Sequence, residues 1–358
     1  MRFGLTNVNK YLIGEQRRNP AIAGDFSMLI SDVVRSCKAI SQNVSLGKLI
    51  LRKEDDSAVA PRSGTTTALK EMANQFFLHH CEWGGHLAAI SSAEMDSIYK
   101  LPSEERRGNF LLLFDALDGS SNIDINLSVG SIFSVLRCPE PGREVSSDDF
   151  LQPGTAQVAA GYALYGSSTI LVLTIGSGTH GFTLDREVGE FLLTHPHLEI
   201  PAETHNFAIN ASKERFWEPP IRRYVDECLA GQSGIRGKDF NMRWAAAMVA
   251  DVHRILMRGG VFLFPRDTRE PGTQGRTDLL HKANPMSMII EQAGGMASTG
   301  YERISAMIPQ SLHQRTPIIL GSRTEVERIE RYHTEYLNGE DKPFSSPLFS
   351  TRSLFRTN

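Results

Sequence analysis

The stretch Phe110-Leu111-Leu112-Leu113-Phe114-Asp115-Ala116-Leu117-Asp118-Gly119-Ser120-Ser121-Asn122 decides how this chain is read. Its apolar run has strand length and delivers two carboxylates, three residues apart, to a Gly-Ser-Ser turn. Carboxylate oxygens suit a hard cation such as Mg²⁺, and a small turn can aim backbone N–H groups and hydroxyls at phosphate oxygens. Asp-Gly is also the commonest hairpin signal, so the turn alone supports two readings. An apolar strand feeding straight into the acids favours metal and phosphate.

Outward from that stretch, 358 residues that are 41% hydrophobic and 22% charged suffice for one large or two medium domains. A net charge of -3 leaves no basic footprint for nucleic acid, and arginines such as Arg106 and Arg107 follow Glu104 and Glu105 directly. No stretch reaches the roughly 18 apolar residues of a membrane span, and Met1 to Lys10 lacks a signal peptide's apolar core, so a cytoplasmic protein is expected. Cys37, Cys81, Cys138 and Cys228 lie far apart with no Cys-x-x-Cys pair, which indicates buried thiols.

Ile30, Val33, Val34, Cys37, Ile40 and Val44 recur at helical spacing, with Thr6 the expected N-cap of a shorter helix upstream. Lys53 to Thr67 reads as a polar loop. Phe110 to Arg137 and Gly161 to Phe182 read as strands, with a hairpin through Leu193. Past a boundary at Glu199 to Asn206, helices alternate with strands: a helix through Trp244, Met248 and Val252, a strand at Gly260 to Phe264, and a helix opened by Asn284 and Pro285 and stopped by Gly294-Gly295.

The central run resembles the signature of class 1 fructose-1,6-bisphosphatases, Asp-Pro-Leu-Asp-Gly-Ser-Ser-Asn-Ile-Asp, with Ala116 in the place of proline. The likeness extends through Tyr11 to Arg18, Glu82 to Ala89, Leu151 to Thr155, Gln157 to Gly166, Asn241 to Trp244, Met248 to Arg254, Asn284 to Ser287 and His313 to Arg315. The resemblance implies a layered α/β/α/β/α sandwich of the sugar phosphatase type: a domain over 1–199 carrying the metal and phosphate loop, a sugar-binding domain over 200–337 and a flexible tail over 338–358. It also implies a homotetramer that uses Mg²⁺ to hydrolyse the 1-phosphate of fructose 1,6-bisphosphate, in gluconeogenesis or the Calvin cycle.

Carried over residue by residue, Asp115, Asp118 and the carbonyl of Leu117 match metal ligands, and Glu94 matches the glutamate that helps position or deprotonate the attacking water. Asp118, Gly119, Ser120 and Ser121 fall at the phosphate. Asn210 matches a contact to the 6-phosphate, and Arg243 matches an arginine reaching it from a neighbouring subunit. Arg276 replaces the sugar-binding lysine, keeping charge but exchanging a point charge for a planar fork. Phe264 replaces a tyrosine and deletes a hydroxyl.

The acid cluster is depleted. Ala93 and Lys282 stand where the family has metal-binding glutamates, and Lys70 stands where it has an aspartate of the catalytic network. Two unit charges about 4 Å apart are worth about 4 kcal/mol at an effective dielectric near 20, so a lysine facing the acids would exclude a second Mg²⁺ and leave at most one weak site. In the alternative reading both long stems swing their ammonium groups out to solvent. The sequence thus supports two functions: a fructose-1,6-bisphosphatase of impaired activity, or a catalytically silent paralogue that binds sugar phosphate or joins a mixed oligomer. A further expectation is that Lys70, Arg276 and Lys282, beside a helix start at Asn284, hold anions without metal. His79-His80-Cys81 and His195-Pro196-His197 lack the partners of a metal site, and His253 is expected to serve packing.

Overall fold

The computed structural model describes residues 5–18, 24–52, 65–102, 107–269 and 274–341. The first half holds helices α1 (Val8–Arg18), α2 (Gly24–Leu46) and α3 (Thr65–Cys81), and strands β1 (Leu87–Ser92), β2 (Tyr99–Lys100), β3 (Phe110–Asp118), β4 (Val129–Arg137), β5 (Ala159–Tyr165), β6 (Thr169–Thr174), β7 (Thr179–Asp185) and β8 (Glu190–Leu198). The second half holds β9 (Asn206–Ile209), α4 (Pro219–Leu229), β10 (Asn241–Met242), α5 (Met248–Arg258), β11 (Val261–Phe264), β12 (Thr277–Asp278), a π-helical turn (Leu279–Ala283), α6 (Asn284–Gln292), β13 (Met296–Ser298), β14 (Arg315–Thr316), β15 (Ile318–Gly321) and α7 (Arg323–Leu337).

β1 to β8 form one sheet in the order 2-1-3-4-5-6-7-8, antiparallel except where β1 runs parallel to β3. A second sheet has the order 10-9-11-15-13. Residues of α1, α2 and α3 share a core with one face of the large sheet, α5 and α6 fill the space between its other face and the small sheet, and α4 and α7 cover the far face of the small sheet. This is the α/β/α/β/α layering that the resemblance implies.

β3 shows how the sequence builds these layers. Phe110, Leu112 and Phe114 enter the core beneath α1 to α3, while Leu111 and Leu113 point the other way and meet Phe150, Leu280 and Leu312. With both faces covered, all nine residues of β3 are buried, and Phe110 to Phe114 read as an unbroken apolar run ahead of the two acids.

Four local expectations change. Trp244 lies ahead of α5, which begins only at Met248 after an extended Ala247. Asn7, not Thr6, caps α1, its Oδ1 accepting the Lys10 N–H at 2.9 Å. Thr65, Thr66 and Thr67 open α3 instead of closing a loop, while residues 53–64 lie outside the described residues. Asn284 is not an N-cap: its φ of -61° and ψ of -51° are already helical, because the π-helical turn runs straight into α6. The cap is Asp278, whose carboxylate accepts the His281 N–H at 2.9 Å. Asn284 therefore offers no free helix terminus to an anion. At the other end, Gly294 takes a φ of 81° and the Gly295 N–H reaches back to the Ile290 carbonyl at 2.9 Å, the expected stop. Of the expected tail, Asn338 to Asp341 follow α7 and the Asp341 carboxylate pairs with Arg223 at 3.0 Å; residues 342–358 lie outside the described residues.

Candidate active site

Residues three apart on a regular strand point to opposite faces of a sheet. Asp115 and Asp118 do not, because the strand bulges between them: Asp115 pairs with Ile132 but Asp118 with Gly130, so three steps on β3 match two on β4. Both carboxylates are thereby turned toward the layer that holds α5 and the π-helical turn. Gly130 permits the approach, since a Cβ there would lie 2.9 Å from the Val249 side chain and 2.3 Å from the Ala163 carbonyl oxygen. Gly119 follows in the left-handed region at φ 72°, and a Cβ there would meet the Ala247 side chain at 2.4 Å. Asn122 fixes the turn by donating to the carbonyls of Ser128 and Ala245.

Lys282 reaches the two acids from the π-helical turn. Its ammonium lies 2.6 Å from Asp115 Oδ2 and 2.9 Å from Asp118 Oδ1. The other two oxygens are also taken: Asp115 Oδ1 accepts the Leu117 N–H at 3.1 Å, and Asp118 Oδ2 accepts the Val249 N–H at the start of α5, also at 3.1 Å. Burial works against the charge on Lys282, but Asp118 and then Asp115 outweigh it and hold the ammonium well above its ordinary pKa. The outward-swinging alternative is thus excluded for Lys282. Lys70, on α3, pairs with Glu94 at 2.7 Å; both are about one-third exposed, so this pair is the weaker one. Ala93 follows β1 and offers only its backbone N–H, which donates to Phe114 O at 3.0 Å.

Beyond Lys282 the surface opens into a cavity of about 210 Å³ walled by Asp118, Trp244, Phe264, Arg276, Lys282 and Arg315. Phe264 and Arg276 also line a second cavity of about 110 Å³, whose far wall includes Asn210, Lys213 and Trp217. Trp244, Phe262 and Phe264 lie nearly parallel, with 3° and 9° between the indole and the two phenyl rings. Arg269, with a smaller contribution from Arg276, holds Asp267 down at about 2, and Arg276 stands 3.6 Å from that carboxylate. The Asn210 side chain accepts from the Ser212 N–H and hydroxyl, which fixes the amide at the cavity edge.

The expected residues divide accordingly. Asp115, Leu117, Asp118 and Lys282 converge, Lys70 and Glu94 form a neighbouring pair, and Asn210 and Arg276 line the sugar-side cavities. Ser120 and Ser121 sit on the turn beyond Gly119, Ser121 exposed. Arg243 is exposed and is absent from the walls of both cavities of its own chain. Lys213 and Trp217 were not read from the sequence as site residues, and Trp244 and Arg315 were noted only inside motifs. Nothing in the local sequence around a Lys or Trp at those positions marks it before the fold gathers it.

The N-terminal domain family of fructose-1-6-bisphosphatase matches residues 6–196, and the corresponding C-terminal domain family matches residues 200–334. The chain belongs to the fructose-1,6-bisphosphatase family. It is 56% identical over 350 residues to the class 1 fructose-1,6-bisphosphatase of Hydrogenophilus thermoluteolus, covering 98% of this chain and 97% of that one. It is 54% identical over 356 residues to that of Methylacidiphilum infernorum, covering 99% of each. The holo-form crystal structure of the Leishmania major fructose-1,6-bisphosphatase superposes with a TM-score of 0.81 at 36% identity, over 92% of this chain and 99% of that one.

Fructose-1,6-bisphosphatases typically work with divalent metal, and the arrangement here does not fit it. A hard cation needs free carboxylate oxygens, whereas every oxygen of Asp115 and Asp118 already accepts a hydrogen bond. The ammonium occupies the point where their oxygens converge.

Two buried groups on α5 shape the acid stability of this fructose-1,6-bisphosphatase fold. Burial raises Asp251 to about 6 and lowers His253, which shares a hydrogen bond with Tyr162, to about 4. The stability that Asp251 contributes is full below its unfolded value near 3.9 and is lost as the pH rises through about 6; that of His253 is full above about 6.5 and is lost as the pH falls toward 4. The two slopes oppose each other. Asp251→Asn is expected to unmask His253, adding a loss of about 3 kcal/mol between pH 6.5 and 4 in urea unfolding series. A slope equal to wild type would contradict it.

Proposed function

We propose that this chain binds sugar bisphosphate or sugar phosphate along the two adjoining cavities without needing metal, and that its hydrolysis of the 1-phosphate of fructose 1,6-bisphosphate is impaired. The observation that carries this reading is the Lys282 ammonium within 2.9 Å of both signature carboxylates. Mg²⁺ would have to displace a tethered cation from two buried acids, which leaves one weak site at most. The cytoplasmic, homotetrameric setting and the place in gluconeogenesis or the Calvin cycle belong to the same proposal by family likeness; the family's use of Mg²⁺ does not carry over beyond that one weak site.

Arg276 and Arg315 line one cavity and supply positive charge for phosphate oxygens, the Lys282 charge being taken up by Asp115 and Asp118, while Asn210 and Lys213 line the other. On this reading the anion site rests on Arg276 and Arg315, without Lys70 and without the helix terminus. In the neighbouring pair, Lys70 engages Glu94 Oε1 at 2.7 Å. That oxygen is occupied by the ammonium rather than turned to an attacking water, and this favours the second reading, a silent paralogue that binds sugar phosphate or joins a mixed oligomer.

Two measurements test the proposal. Thermal melts with excess chelator should rise on adding fructose 1,6-bisphosphate, by about 2.7 kcal/mol of stabilisation at a hundredfold excess over Kd. No shift would remove metal-free binding. Phosphate release across a Mg²⁺ titration should stay low and nearly flat, and turnover like that of other family enzymes would overturn the impaired site.

A further inference from the structure

We propose that Asp278, His281 and His313 form a binding site for one transition-metal ion of the Zn²⁺ type, separate from the signature acids. Their ligand atoms all lie within 4.8 Å of one another. Asp278 and His281 are buried at 2% and 0% exposure, whereas the His313 side chain is 31% exposed and provides the entry side.

The hydrogen-bond geometry orients the ligand atoms toward one another. His313 Nε2 lies 2.9 Å from the Met95 carbonyl oxygen, and a carbonyl can only accept, so Nε2 carries the hydrogen. His313 Nδ1 then faces Asp278 Oδ2, 3.5 Å away. A cation between the ring nitrogen and the carboxylate oxygen would engage both. Asp278 Oδ1, in contrast, is satisfied by the backbone N–H and ring Nδ1 of His281, both at 2.9 Å. The remaining ring nitrogen, His281 Nε2, is 2.8 Å from Ser91 Oγ. Ser91-His281-Asp278 has the order of a nucleophile relay, but Ser91 is 1% exposed and no substrate reaches it.

A metal would take His313 Nδ1, an oxygen of Asp278 and His281 Nδ1. His281 would pass its ring proton from Nδ1 to Nε2, where the Ser91 hydroxyl oxygen accepts it, so no proton leaves the cluster. Both imidazoles would then donate their outer N–H to protein oxygen, the usual support for a metal-bound histidine. Metal–ligand distances of about 2.0–2.2 Å require the cluster to contract by about 1 Å. His313 supplies that movement, because it sits in a turn at the surface and its ring, now 19° from the plane of His281, is free to tilt. Two imidazoles and one carboxylate select Zn²⁺, Co²⁺ or Ni²⁺ over Mg²⁺. The bound ion would tie the segment after Glu94, through Met95, to the turn that carries Lys282.

The full-length chain, stripped with chelator, is titrated with Zn²⁺ by calorimetry and with Co²⁺ by visible absorption. One equivalent of Zn²⁺ and a Co²⁺ spectrum typical of nitrogen ligands in a four- or five-coordinate site are expected. His313→Ala should weaken Zn²⁺ binding by about tenfold or more, whereas His79→Ala and His195→Ala, on histidines outside the cluster, should leave it unchanged. Asp278→Asn is a second variant with the same expected loss. No stoichiometric binding, affinity unchanged in His313→Ala, or an oxygen-only Co²⁺ spectrum would each overturn the proposal. So would a His313 that is doubly protonated at neutral pH by NMR while Zn²⁺ fails to bind, since a proton then fills the gap.

Discussion

Lys70→Asp, Ala93→Glu and Lys282→Glu, combined in one chain, should make phosphate release from fructose 1,6-bisphosphate depend on Mg²⁺ and raise it on the order of a hundredfold or more. The combination removes two lysines and adds three acids around Asp115, Asp118 and Glu94. At an effective dielectric near 20, each lysine exchanged for an acid about 4 Å from a divalent ion changes the local interaction by several kcal/mol. Room is available, because the Lys282 side chain already spans from the π-helical turn to both signature carboxylates. Steady-state rates over a Mg²⁺ series decide it. A triple variant as slow and as metal-indifferent as the parent would show that something other than the lost acids limits catalysis.

Lys282→Met, in contrast, should damage the fold before it affects any reaction. Removing one partner of a buried ionic group costs about 3–5 kcal/mol, and here two carboxylates, with side chains 3% and 7% exposed, would face each other unneutralised. The melting temperature is expected to fall by several degrees, and millimolar Mg²⁺ or Mn²⁺ should restore part of the loss in the variant while leaving the parent unchanged. That differential response separates a cation-shaped site from ordinary packing. A variant as stable as the parent, or one that divalent ions do not rescue, would show that the ammonium is not standing in for a metal.

How much of this was legible in the sequence depended on the kind of interaction. The strands could be read, because β3 and its neighbours are covered on both faces and apolar runs of strand length record that burial directly, whereas the layering came from the family resemblance. The acids of the signature could be read as a pair, but regular alternation would place them on opposite faces, and nothing in Asp115 to Asp118 announces the bulge that brings them together. The direction of Lys282 was undecidable for a related reason: a long flexible stem suits either solvent or acid, and only the five-residue π-helical turn settles which. Asn284-Pro285 misled because a cap is judged by the helical residues on its C-terminal side, whereas the chain was already helical when it arrived; Asp278, itself a good capping residue, was the better signal. Asn7 and Thr6 are both acceptable caps, and only backbone geometry chooses between them. The cluster of Asp278, His281 and His313 was out of reach, since His313 arrives from 32 residues downstream of His281 by way of the β14 segment.

The extra residue in β3 limits how this segment can change over time. Point replacements at Lys70, Ala93 or Lys282 alter chemistry while leaving the backbone path alone. Loss or gain of one codon between Asp115 and Asp118 would swing a carboxylate toward the layer of Phe77 and Phe114, into a core of buried apolar side chains. The side chains around the acids can change one at a time, each at its own cost; the length of the segment that carries the acids cannot.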